Sequence, residues 1–114
     1  MSDRDPLLFV RDILDSISAI ELFLVGVDRE EFAADRKTFS ATIRELEIIG
    51  EAAGKIPDSI KAKYPDLPWR MLKDFRNVLA HHYFGINVDI VWDIVQRKLP
   101  KLKKQIEAVK ENEE

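Results

Sequence analysis

The stretch RNVLAHHY, residues 76–83, puts Arg76, Asn77, His81, His82 and Tyr83 close together and contains the chain's only two histidines. An imidazole has an ordinary pKa of about 6.5, so it can take or give a proton at neutral pH. A guanidinium stays cationic and can grip two oxygens of one phosphate. Asparagine can orient an imidazole or bond a ligand. A phenol, with its pKa of about 10, is not the group of choice for proton transfer at neutrality. The set suits proton transfer beside a phosphate. Elsewhere the chain has no cysteine, hence no thiolate nucleophile or metal ligand, and it carries no HExxH or paired-carboxylate signature. No cofactor is expected. Spacing alone also allows a plainer reading, because arginine and asparagine are common on helix surfaces and a half-exposed tyrosine is ordinary at an interface.

The elements that must position these residues all have helical period. Asp5-Pro6 is an N-cap followed by proline at the first helical position. Val10, Ile13, Ile17, Ile20 and Leu24 then recur at three- and four-residue spacing, which predicts a helix to about Gly26. Asp28 caps a short turn, REEF. A second long helix turns Phe39, Ile43, Leu46, Ile49 and Ala53 inward and ends near Pro57. The proline-rich PDSIKAKYPDLP allows one short helical turn at most. A third helix starts near Pro68-Trp69 and runs to about Phe84, stopped by Gly85. Asn87 caps a fourth, with Val88, Val91, Ile94 and Val95 apolar, and Pro100 kinks or splits it. No segment alternates with period two. The predicted architecture is all-α, an up-and-down bundle of four to five helices.

On the third helix the residues of interest separate by angle. With Phe75 at zero and about 100° per residue, Leu72 and Leu79 fall on the core face with Met71 and Val78 beside them. His82 falls in the middle of that face and reads as a packed core residue. His81 falls about 120° away, beside Asn77 and Asp74, where it can reach solvent or a ligand. Arg76 and Tyr83 share the opposite flank, about 10.5 Å apart along the axis. Arg76 and His81 are thus about 140° apart around the helix, too far for one straight helix to aim both at a single phosphate. Two copies packed across a two-fold axis remove the difficulty, so a chemical role for the pair predicts a homodimer with a shared cleft.

Composition bounds the rest. A length of 114 residues and 46% hydrophobic content suit one compact domain over 1–114, with KENEE expected as a frayed tail over about 111–114. No apolar run approaches the roughly 18 residues of a membrane span, and the acidic start lacks the features of a signal peptide. Together with the missing cysteines this predicts a cytoplasmic protein. The net charge of −3 is wrong for a general nucleic-acid coater, so any RNA binding must be local.

Arg76-Asn77-Val78-Leu79-Ala80-His81-His82-Tyr83 resembles the R-x4-6-H-x-Y motif of HepT-like toxins, a branch of the HEPN superfamily. EIIGEAAGKIP at 47–57 resembles that family's second-helix signature, PWRMLKDFRNVLAHHYFGI at 68–86 its third helix, and VWDIV at 91–95 its fourth. The resemblance covers nearly the whole chain. It implies an all-helical, dimeric, metal-independent ribonuclease, the toxin of a type VII-like toxin–antitoxin module. The implied partner is an MntA-like nucleotidyltransferase antitoxin that neutralises the toxin by adenylylating the motif tyrosine. By position, Arg76 and His81 would be the catalytic pair, Asn77 a supporting polar residue and Tyr83 the modification site. His82 would carry no fixed role. The family makes transfer RNA a plausible substrate, although nothing in these residues selects it.

Such chemistry fits the residues. RNA can be cut by its own 2′-hydroxyl attacking the adjacent phosphate, which needs a proton acceptor, a proton donor for the leaving 5′-oxygen and positive charge at the phosphorane. Glu51, a lone carboxylate in IIGEAA, reads as structural, pairing with Arg76. Two other readings stay open: a HEPN domain without cleavage that serves only to bind a nucleotidyltransferase, and a helical dimerisation domain without chemistry.

Overall fold

Side-chain oxygens open the helices where the sequence places them. The computed structural model describes residues 4–81 and 87–114, with backbone alone for 77–81. Helix α1 (Pro6–Phe23) starts at Asp5, whose carboxylate accepts from the Leu7 N–H at 2.9 Å. Pro6 sits in its first turn, where a missing N–H costs nothing. Gly26, at φ 71°, takes the left-handed conformation that turns the chain after α1. Helix α2 (Arg29–Ala34) has a full capping box between Asp28 and Glu31. Helix α3 (Arg36–Lys55) is capped by Asp35, which accepts from two backbone N–H groups and from the Thr38 hydroxyl at 2.6 Å. Helix α4 (Asp58–Lys61) is the single turn that the proline-rich segment permits. Helix α5 (Trp69–His81) follows Pro68. Asn87 caps α6 (Val88–Asp93), accepting from the Asp89 N–H at 2.7 Å. The predicted end of the third helix at Phe84 and Gly85 lies outside the described residues.

Pro100 widens its helix without splitting it. A proline at 100 has no N–H for the carbonyl of residue 96, and its ring crowds that carbonyl. The chain answers with a π-helical turn (Ile94–Lys98) in which the Leu99 N–H reaches back to the Ile94 oxygen. Helix α7 (Leu99–Glu113) continues from it with no break, so α6, the π turn and α7 form one long run.

Among the described residues the chain is all-helical, with four long helices and two short ones when that last run counts as one. Helix α1 packs between α3 and α7, and α3 packs between α1 and α5. The core contains the apolar stripes predicted from the spacing, Ile13, Ile17 and Ile20 of α1, Leu46 and Ile49 of α3, Leu72 of α5 and Val91 of the last run, and adds Leu102, Ile106 and Val109 of α7. Phe39 is only half-buried, and packs on the buried Phe32 with ring centroids 5.3 Å apart. No described helix is long and apolar enough to cross a membrane.

Helix α7 runs to Glu113, whose carboxylate has partners outside its own helix. Its carboxylate accepts from the Tyr64 hydroxyl at 2.8 Å and from the Lys63 ammonium at 3.2 Å. These bonds tie the proline-rich segment to α7.

Candidate active site

Helix α5 is a strongly amphipathic segment, WRMLKDFRNVLAH. Leu72 and Phe75 are buried, Met71 is half-buried, and Arg70, Lys73, Asp74 and Arg76 are exposed. This is the rotation predicted from 100° steps, with Arg76 one step off the core face. Arg76 therefore stands at solvent on the side where α5 meets α3.

That meeting is very close. A Cβ built on Gly50 of α3 would lie 2.8 Å from the Arg76 backbone nitrogen, 2.8 Å from the Leu72 carbonyl oxygen and 2.9 Å from the Arg76 Cβ. Any side chain at 50 would push α5 away, so the glycine fixes how deep α5 sits and where the Arg76 backbone lies. Glycine in a helix interior costs about 1 kcal/mol relative to alanine. Gly50 is buried inside α3, five residues before the helix ends, so that local cost is offset by tertiary packing. The sequence held the signal, a glycine inside a helical-period run in IIGEAA, but periodicity could not say what it faces.

Glu51 does not take the predicted partner. Its carboxylate lies 4.0 Å from the Arg44 guanidinium, which also stands 3.6 Å from Glu47. Residues 44 and 51 share one face of α3, whereas it is Gly50 that meets Arg76. Among the described residues no carboxylate forms an ion pair with Arg76.

Of the other predicted site residues, Asn77 and His81 belong to the described backbone of α5, with their side chains outside it, and His82 and Tyr83 lie wholly outside the described residues. Tyr64, the chain's other tyrosine, is engaged by Glu113. Loss of water contact, then that hydrogen bond, raises its pKa above the usual phenol value. Among the described residues no group of three His, Cys, Asp or Glu is placed to hold a metal ion.

The sequence pattern of the family described as "Ribonuclease HepT-like" matches residues 13–109. The chain belongs to the HepT-like ribonuclease family. The matched span runs from α1 to α7 and includes both the α3–α5 crossing and the whole of RNVLAHHY. A relative from Methanocaldococcus jannaschii, named "Putative RNase MJ0127", is 43% identical over 109 residues, covering 96% of this chain and 90% of that protein. Another from Thermococcus cleftensis, named "Probable ribonuclease HepT", is 40% identical over 102 residues, covering 90% of this chain and 93% of that one. No solved structure matches the chain.

Proposed function

We propose that this HepT-like chain is a metal-independent endoribonuclease and the toxin of a toxin–antitoxin module. The observation that carries the reading is the family match across the full span of α5, with Arg76 exposed there and His81 five positions later on the same helix. The relatives' names, both of which refer to a ribonuclease, support it.

In this reading Arg76 and His81 are catalytic and Asn77 supports them. The substrate's 2′-oxygen forms a bond to the adjacent phosphorus, and the bond from phosphorus to the 5′-oxygen breaks. The products are a 2′,3′-cyclic phosphate and a free 5′-hydroxyl. His81 handles the proton leaving the 2′-hydroxyl or arriving at the 5′-oxygen. Arg76 neutralises charge growing on the phosphorane, commonly a large share of catalysis. Positions 76 and 81 of one α-helix are about 140° apart, so the site is assembled by two chains, Arg76 of one facing the second chain's position 81.

Neutralisation acts through Tyr83, adenylylated by a partner nucleotidyltransferase. An added phosphodiester is an anion that Arg76 can pair with, and it repels incoming RNA much as a phosphate would. Of the two tyrosines, Tyr64 already donates its hydroxyl to Glu113.

The test is incubation of the purified protein with total RNA in EDTA, beside His81→Ala. Cleavage that persists in EDTA, leaves 2′,3′-cyclic ends and vanishes in the variant is the expected result. Cleavage that needs added metal, or that survives in His81→Ala, overturns the mechanism. A folded parent protein that cuts no RNA would instead be a partner-binding HEPN domain.

A further inference from the structure

Although the chain carries a net charge of −3, five of the eight residues from 97 to 104, RKLPKLKK, are cationic and none is acidic. The fold spends few of these charges internally. Lys103 turns to Glu21 of α1 at 2.9 Å. Arg97 touches Asp93 at 3.3 Å, but its side chain remains 81% exposed. Lys98, Lys101 and Lys104 are exposed, and among the described residues no carboxylate stands within ion-pair distance of them.

Three of these cations line a groove. A cavity of about 250 Å³ lies between the π turn with the start of α7, which contributes Arg97, Lys98 and Lys101, and the entry to α5, which contributes Asp66, Pro68 and Met71. Asp66 is the one acidic residue in the lining. Its backbone oxygen accepts from the Gln105 amide at 3.2 Å, which holds the α5 entry loop against α7. Lys104 extends the cationic row, since positions 97, 101 and 104 recur on one helix face. The π turn that Pro100 imposes is where Arg97 and Lys98 sit.

The groove meets α5 at its entry, and position 81 lies ten residues beyond Met71, about 15 Å farther along the helix. By helical register Met71 lies about 40° to one side of Phe75 and position 81 about 120° to that same side, while Arg76 lies on the other. A strand seated in the groove and running on along α5 from Met71 would travel on the side of the helix that carries position 81, reaching it after about 15 Å, the span of about two to three nucleotides. Lysine ammonium groups are mobile point charges that bind phosphate without reading sequence.

We infer that this groove holds the phosphate backbone of single-stranded RNA and feeds it to α5. The inference rests on the ribonuclease reading above and supplies the local basic surface that an acidic chain needs to engage RNA.

The test is the triple variant Lys98→Gln/Lys101→Gln/Lys104→Gln, with circular dichroism melting to verify that it folds. Two readouts are taken: KM and kcat for cleavage of a single-stranded RNA, and salt-dependent binding of the same fluorescein-labelled RNA in a His81→Ala background. The expected result is KM raised about tenfold with kcat retained, and a slope of log K against log salt reduced by about 2, from three lost contacts at about 0.7 each. The triple Lys→Arg variant should behave as the parent. So should Lys37→Gln/Lys55→Gln/Lys61→Gln, which removes equal charge elsewhere. Unchanged KM and slope, or an equal effect from the control triple, overturns the groove while leaving cleavage by Arg76 and His81 in place. Intact RNA binding with lost neutralisation by the nucleotidyltransferase would make the groove a protein interface and overturn it too. A parent protein that neither binds nor cuts RNA sinks both readings together.

Discussion

Gly50 of α3 and Arg76 of α5 touch backbone to backbone, with only 2.8 Å between the place a Cβ would occupy on Gly50 and the Arg76 nitrogen. Gly54, one turn later on α3, has nothing within 4 Å of its corresponding position. Gly50→Ala should therefore gain about 1 kcal/mol of helix propensity but lose more to the clash, for a net destabilisation of about 1–2 kcal/mol. Because α5 moves as a unit, Arg76 should be displaced and cleavage should fall about tenfold or more. Gly54→Ala should instead stabilise by about 0.4–1 kcal/mol with activity kept. Thermal melts and cleavage rates of the two variants decide it; equal effects at 50 and 54 would mean the close approach does not govern α5.

Helical register predicts complementation. Arg76→Ala and His81→Ala should each be inactive, and a mixture of the two should regain activity, since a heterodimer keeps one intact Arg76–His81 pairing. Activity assays after partial denaturation and refolding of the mixture, with subunit exchange verified by mass, provide the check. No recovery despite exchange, or an active monomer, would rule out a shared site. His82→Ala, from the core face of the predicted helix, should lower the melting temperature while preserving activity in the folded fraction. The reverse pattern at 81 and 82 would show the register to be off by one.

Neutralisation should separate the two tyrosines. Tyr83→Phe should retain at least part of the ribonuclease activity and escape the antitoxin. Tyr64→Phe should still be adenylylated and neutralised. Intact-mass spectrometry after incubation with the nucleotidyltransferase, ATP and Mg²⁺ detects the added AMP, and growth of expressing cells reads out toxicity. Adenylylation mapping to Tyr64 would refute the assignment.

Acid should loosen the C-terminal tie. Glu113 is held below the ordinary glutamate range by the Tyr64 hydrogen bond, then by Lys63. A lowered folded-state pKa means that the tie's stabilisation is present above the unfolded value of about 4.3 and is lost as pH falls through the folded value. Asp35 at the start of α3 behaves the same way, lowered first by the Thr38 hydroxyl and then by the Thr38 N–H. Melting temperature should therefore drop as pH is taken from about 6 to about 3, and Glu113→Gln should flatten that dependence. Tyr64 shifts upward, so its contribution is lost at the alkaline end, as pH rises through its folded value. An identical acid slope in Glu113→Gln would show the tie to be inconsequential.

Local chemistry determined most of the architecture. Caps at Asp5, Asp28 and Asn87 and apolar spacing along each segment are carried by neighbours within a few residues, so the helix positions, the core stripes of α1, α3 and α5 and the place of Arg76 off the core face were readable from the sequence. The motif Arg76 to Tyr83 was readable for the same reason, being contiguous. Tertiary structure decided what depends on the distance between elements. The sequence placed a glycine at 50, but only packing of α3 on α5 sets it against Arg76. The sequence suggested Arg76 as the partner of Glu51, and the fold gave it Arg44, because rotation of α3 about its own axis selects which residues face α5. The partner of Glu113 could not be read from its neighbours in sequence, because Tyr64 lies 49 residues away. The run RKLPKLKK was only a set of charges until the π turn and the α5 entry made one side of it a groove.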